Sequence, residues 1–197
     1  MKGFKNANVY VYGKGVVNTS LTVENGKIAS LGTEPAEFYD IPEGAVVVPG
    51  FIDEHIHGSA GSDAMDGTVS ALETIARSIA GEGTVGFLAT TMTQSPENIS
   101  KAMSAVKEYK SEKRSYGAEV LGVHLEGPYI NKSKAGAQPE IYICDPSVEQ
   151  FSKYNALSGN NIKIVTFAPE SNGSKEFVGY LKENGIRANV GHTSAKF

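Results

Sequence analysis

The sequence predicts an α/β protein: a parallel sheet with helical crossovers, preceded by a small β region. Three observations predict it. Apolar, β-rich runs recur along residues 46–190 and amphipathic stretches fill the gaps between them. These strands read as uninterrupted apolar runs, the pattern of a parallel sheet covered on both faces. The repeat is about 30 residues, the size of one βαβ unit.

The first 48 residues read as a partial β domain. Val9–Tyr12, Gly15–Val17 and Ser20–Glu24 are β-rich, and Lys27–Leu31 reads as a returning strand. Asn25-Gly26 between the last two suits the two positive-φ positions of a tight hairpin turn. This region reads as an open sheet with too few strands to stand alone. The second region starts at residue 49. Val46–Val48 leads through Pro49-Gly50 into the first strand, Phe51–His57; Thr84–Ala89, Val120–Leu125, Lys163–Phe167 and Arg187–Val190 follow. Val69, Leu72, Ile75, Ala76 and Ile79 share one helical face. Ser95-Pro96 supplies an N-cap and first-turn proline for a helix buried through Ile99, Met103 and Val106. Asp145-Pro146 repeats that signal before Val148 and Phe151, with Gly159 as the stop. Ser174 is the expected cap of a helix carrying Phe177, Val178 and Leu181. A complete (β/α)₈ barrel needs about 250 residues, so a barrel would stop just after its fifth strand here. An open doubly wound sheet would be complete at five strands and is the alternative.

Composition narrows the function. The chain has 197 residues, with 18 Lys and Arg against 22 Asp and Glu and a net charge of −4. With 40% hydrophobic residues it is a globular chain, not a disordered one. It lacks the basic surface that displaces counterions from phosphates, so nucleic acid is not an expected partner. No apolar run reaches the roughly 18 residues of a membrane span, and Met1–Tyr10 carries no signal-peptide pattern. Cys144 is the one cysteine; it reads as a small, partly buried residue in a reducing compartment. Together these features predict a cytoplasmic protein without a membrane partner.

All four histidines fall at or near expected C-terminal strand ends, where α/β barrels carry their sites. In His55-Ile56-His57 the two imidazoles point to one side of a strand. In Val123-His124-Leu125-Glu126-Gly127-Pro128, His124 and Glu126 share a face. Glu126 is placed for a cleft, and His124, one step deeper, for a supporting hydrogen bond behind it. In Asn189-Val190-Gly191-His192-Thr193 a strand ends on glycine and presents one histidine. His55, His57, Glu126 and His192 supply nitrogen and oxygen ligands without a thiolate, a set that suits Zn²⁺, Fe²⁺, Mn²⁺ or Co²⁺. Gly58–Ser62 lacks the lysine and spacing of a phosphate loop and reads as a mobile rim loop. Asp63 and Asp66 read as loop and capping residues.

These stretches resemble the N-acetylglucosamine-6-phosphate deacetylases of the amidohydrolase superfamily. The matching segments are Val48–Gly58, Gly122–Tyr129, Lys134–Gln138 and Asn189–Thr193, and Leu21–Ile28 resembles the superfamily's β-sandwich opening. Val-His-Leu-Glu-Gly-Pro is specific to that family; Pro-Gly-Phe-Ile-Asp with His-x-His belongs to the whole superfamily. The resemblance implies a (β/α)₈ barrel with a small β-sandwich, and hydrolysis of the acetamide of an amino sugar phosphate. By position, His55 and His57 match a metal-holding pair, which favours two ions over one. Glu126 matches the metal-binding glutamate and His192 the first of two later metal histidines. Ala137 and Gln138 match a loop that touches the sugar, where many members carry histidine at position 138. The catalytic aspartate of the family is expected beyond Phe197, so no catalytic residue is assigned in this chain. On this reading the chain is an N-terminal part of such an enzyme, inactive alone, and the full-length protein is a homodimer. Two rivals remain: a dihydroorotase-like cyclic amidase, which would need a carboxylated lysine where Glu126 stands, and a non-catalytic metal-binding module.

Overall fold

A computed structural model describes residues 1–112 and 116–196. They fall into two compact units, Met1–Gly50 and a second from Phe51 onward.

The first unit is one five-stranded mixed sheet. β1 (Lys2–Val11), β2 (Gly15–Glu24) and β3 (Lys27–Leu31) form an antiparallel meander. β4 (Glu37–Phe38) and β5 (Val46–Val47) pair in parallel with the free side of β1. Asn25 and Gly26 turn between β2 and β3 at φ of 52° and 73°, the double positive φ that the dipeptide predicts. β1 starts seven residues earlier than its sequence shows. A bulge between Phe4 and Ala7, with Asn6 at φ 48°, shifts the alternation by one. Phe4 therefore joins Ala7, Val9 and Val11 in the apolar cluster with Leu21 and Val23, although strict alternation would set it on the other face. β2 is likewise one strand, where two short ones are expected.

In the second unit β6 (Phe51–Ile56), β9 (Thr84–Thr90), β10 (Glu119–Glu126), β11 (Ile162–Phe167) and β12 (Arg187–Val190) form a parallel sheet in chain order. A short ribbon, β7 (Gly58–Ser59) with β8 (Ser62–Asp63), follows β6. The strand order never reverses among the described residues, so the doubly wound alternative, which needs a switch point, does not hold. The sheet is a half-barrel. α1 (Val69–Ala80), α2 (Pro96–Ser111), α3 (Val148–Leu157) and α4 (Ser174–Glu183) supply the crossovers, and one apolar cluster runs from Leu72 through Met103 and Val123 to Phe177 and Leu181.

The three inner strands are buried as expected, but edge strands β6 and β12 are largely exposed, including Phe51, Ile52 and Val190. An inner strand has neighbours on both sides; among the described residues these two have one.

Other local expectations need correcting. Gly58–Ser62, expected as a loop, falls in the β7–β8 ribbon, turning at Ala60 and Gly61 with φ of 52° and 79°. Asp63 and Asp66 form a capping box behind it. α3 is capped by Ser147, whose hydroxyl accepts from Gln150 N; the Asp145 carboxylate instead accepts from Asn172. α4 starts from Gly173 in a left-handed conformation, and Ser174 donates to the Ala168 carbonyl instead of capping. Cys144 is exposed, in the loop before α3. No helix of the described residues is long and apolar enough to cross a membrane.

The α2 cap is as expected: the Ser95 hydroxyl accepts from Asn98 N at 3.3 Å, ahead of Pro96. Ser95→Ala should cost about 1 kcal/mol, measured as a lower urea midpoint with unchanged slope.

Candidate metal centre

The C-terminal ends of β6, β10 and β12 bring three histidines to one carboxylate. Glu126 ends the central strand, and its side chain is 7% exposed. Its Oε2 lies 3.6 Å from His55 Nε2 and 3.1 Å from His57 Nε2; its Oε1 lies 3.2 Å from His192 Nε2. Two-residue spacing turns both His55 and His57 toward β10. The pair survives a register shift between β6 and β9, where the Thr90 hydroxyl accepts from Ile56 N at 3.0 Å. His55, His57 and Glu126 offer ligand atoms within 4.8 Å of one another. His192 closes the other side of the carboxylate.

The backbone sets the protons on two of these rings. His57 Nδ1 lies 3.2 Å from the Thr90 carbonyl and His192 Nδ1 lies 2.8 Å from the Lys134 carbonyl. A carbonyl only accepts, so Nδ1 carries the hydrogen and Nε2 of the neutral ring is a bare lone pair. That lone pair faces a carboxylate, another acceptor. Two facing acceptors need a cation between them, either a proton or a metal ion.

Without a metal, the pair of His57 and Glu126 favours a proton in that place. The Glu126 hydrogen bond raises the His57 pKa above its ordinary 6.5, against the opposing effect of burial. Burial pushes the Glu126 carboxyl up, but the His57 hydrogen bond and the neighbouring imidazole charges outweigh it, and the net shift is down. Stability from the raised imidazole is complete below 6.5 and is lost as pH rises through its folded value; stability from the lowered carboxyl is present above 4.5 and is lost as pH falls. His124, shifted down by burial, works the other way in acid. The comparison must therefore be wild type against His57→Ala at each pH. In chelator, the melting-temperature penalty of that substitution should be larger near about pH 5.5 than near about pH 8.5; an equal penalty would remove the charged pair from this account.

His124 sits beneath the cluster. Its Nδ1 lies 2.8 Å from the Glu54 carbonyl and its Nε2 2.7 Å from the Thr166 hydroxyl, so both ring nitrogens are engaged. Its ring packs edge-on against His55 at 4.8 Å. Gln138 is buried; its Nε2 donates to Glu126 Oε2 at 3.2 Å and its Oε1 accepts from Thr93 N. Ala137 beside it is exposed. Phe197 lies outside the described residues. Thr90 and Thr166 carry no motif of their own; in the strand register Thr90 lies opposite His124 and Thr166 opposite Glu126, the one signal that singles them out.

No family model matches the chain. It is 43% identical over 187 residues to N-acetylglucosamine-6-phosphate deacetylase of Bacillus subtilis, covering 91% of this chain and 47% of that protein. It is 30% identical over 175 residues to N-acetylgalactosamine-6-phosphate deacetylase of Escherichia coli O157:H7, covering 89% of this chain and 46% of the relative. The solved structure of N-acetylglucosamine-6-phosphate deacetylase from Thermotoga maritima superposes with a TM-score of 0.81 at 33% identity, over 98% of this chain and 49% of that one. The chain is related by sequence and by fold to the N-acetylglucosamine-6-phosphate deacetylases and spans about half the length of these relatives.

Proposed function

We propose that the chain carries the metal-binding part of a divalent-metal-dependent deacetylase that converts N-acetylglucosamine 6-phosphate to glucosamine 6-phosphate and acetate. The observation that carries this reading is the buried Glu126 carboxylate faced by the Nε2 atoms of His55, His57 and His192. Ligands at about 2.0–2.1 Å from a tetrahedral ion stand roughly 3.3–3.4 Å apart, and the three nitrogen–oxygen distances of 3.6, 3.1 and 3.2 Å bracket that value. Nitrogen and oxygen donors fit Zn²⁺, Fe²⁺, Mn²⁺ or Co²⁺. Glu126 turns one oxygen to the His55–His57 pair and the other to His192, so these residues would have donors for two ions rather than one.

The chemistry a bound ion supplies is Lewis acidity: water acidified towards a pKa of about 7 and a polarised acetyl carbonyl. The chain's own residues do the holding. The Thr90 and Lys134 carbonyls fix the ring orientation of His57 and His192. His124, held by the Thr166 hydroxyl, packs its ring against His55. The Gln138 amide restrains Glu126, and with Ala137 it borders the place proposed for the sugar. A base must pass a proton to the leaving amine; the proposal puts that aspartate outside these 197 residues. The half-barrel is then the first five strands of a (β/α)₈ barrel, and residues 1–48 are part of a β-sandwich. The same reading carries a homodimeric cytoplasmic enzyme acting on a small sugar phosphate.

Calorimetric titration of the Zn²⁺-loaded chain with N-acetylglucosamine 6-phosphate tests the proposal. Saturable heat that disappears in chelator supports it. Metal uptake without any response to the sugar phosphate would favour a metal-binding module instead. Acetate release by the pure chain should stay at background, and turnover would refute the placing of the base.

A further inference from the structure

One carboxylate outside the cluster holds the segment that presents His192. Glu170 follows β11 by three residues, at the same end of the sheet as Glu126. Its Oε1 accepts from Ser194 N at 2.7 Å and from Asn131 Nδ2 at 2.8 Å; its Oε2 accepts from the Thr193 hydroxyl at 2.5 Å. Asn131 returns to the same segment, its backbone N donating to the His192 carbonyl at 2.9 Å. The Asn131 side-chain oxygen also accepts from Ser133, one residue before the Lys134 carbonyl that receives His192 Nδ1. The loop after β10 and the segment after β12 are thus clasped around one charged group.

His192 needs such a clasp. Its φ of 48° is left-handed, a region that a non-glycine residue keeps only when its surroundings over-determine it. Gly191 N donates to the Phe167 carbonyl on one side, and the Glu170 bonds hold Thr193 and Ser194 on the other. The hydrogen bonds from Thr193, Ser194 and Asn131 outweigh desolvation and hold the Glu170 carboxyl down to about 2.

We propose that Glu170 is a positioning residue that fixes the backbone of His192 and so aims its Nε2 at Glu126. Its hydrogen bonds go to Thr193, Ser194 and Asn131, and it acts through them. The inference rests on the metal-site reading, but its test separates the two.

The 197-residue chain and its Glu170→Ala and Glu170→Gln variants are titrated with Co²⁺, alone and in a His192→Ala background. Glu170→Ala should weaken binding by about 10–100-fold. It should add less than about twofold once His192 is gone, because the effect passes through that ring. Glu170→Gln keeps both contacts to Oε1 and should stay within about threefold, rescuing the alanine loss. The metal-free readout is the His192 ring ¹H–¹⁵N signal: the Nδ1 proton bonded to Lys134 should be sharp in wild type and Glu170→Gln and broadened in Glu170→Ala. An alanine variant that keeps that signal, or that loses Co²⁺ affinity equally in both backgrounds, overturns the proposal. A wild-type chain with the sharp signal and no Co²⁺ uptake would refute the metal reading, while the ring signal still decides the role of Glu170.

Discussion

Glu126→Gln is expected to cut zinc affinity by at least about 100-fold, or about 2.8 kcal/mol at 1.4 kcal/mol per decade. The amide keeps the shape of the carboxylate but not its charge, and only one of its two polar ends can donate an electron pair. Glu126 now serves two groups at once: His55 and His57 at Oε2, and His192 at Oε1. Glutamine must turn an NH₂ towards one of them, and a donor there faces the space a cation would fill. Burial raises the stakes, because water cannot replace the lost charge. Titration against a competing chelator measures the change. Affinity within about threefold of wild type would remove Glu126 from the ligand set.

Phe177→Ala is expected to cost about 3–5 kcal/mol of stability. Phe177 is fully buried on α4, and its ring meets Tyr129, Phe151 and Phe167 at centroid distances of 5.1, 5.4 and 5.9 Å, all close to edge-on. Those partners come from the loop after Glu126, from α3 and from the end of β11, so one ring joins three segments. The cavity left by alanine has no flexible neighbour to fill it: Phe151, Phe167 and Tyr129 are themselves buried and packed. Tyr129 also accepts Ala168 N at 2.8 Å through its carbonyl, which links this cluster to the strand ends that carry the site. Urea unfolding should show the loss, and Phe177→Leu should lose less. A loss below about 1.5 kcal/mol would mean the cluster is looser than described.

What could be read from the sequence was whatever depends on local chemistry. The α2 helix announces itself because serine and proline act within four residues of each other, and the Asn25-Gly26 turn because its two φ angles are a local demand. The His55–His57 pair was legible because a strand alternates every two residues. The missed features depend on partners far along the chain. The β1 bulge exists so that Phe4 can share a core with Leu21, and no alternation reveals it. Asp145 looks like a cap until Asn172, 27 residues away, takes its carboxylate. Gln138 reaches Glu126 and Thr93 because the loop after β10 folds back over the strand ends. The left-handed His192 depends on Glu170 and Asn131, which no spacing rule connects.

If His55, His57, His192 and Glu126 form one metal-binding group, zinc-edge X-ray absorption of the zinc-loaded 197-residue chain should show a shell of nitrogen and oxygen at about 2.0–2.1 Å, with the outer-shell scattering of imidazole and no sulfur at about 2.3 Å. That outer-shell scattering should weaken in His57→Ala and His192→Ala. A sulfur shell, the signature of the chain's one cysteine, Cys144, or zinc that washes away on buffer exchange, would rule that grouping out.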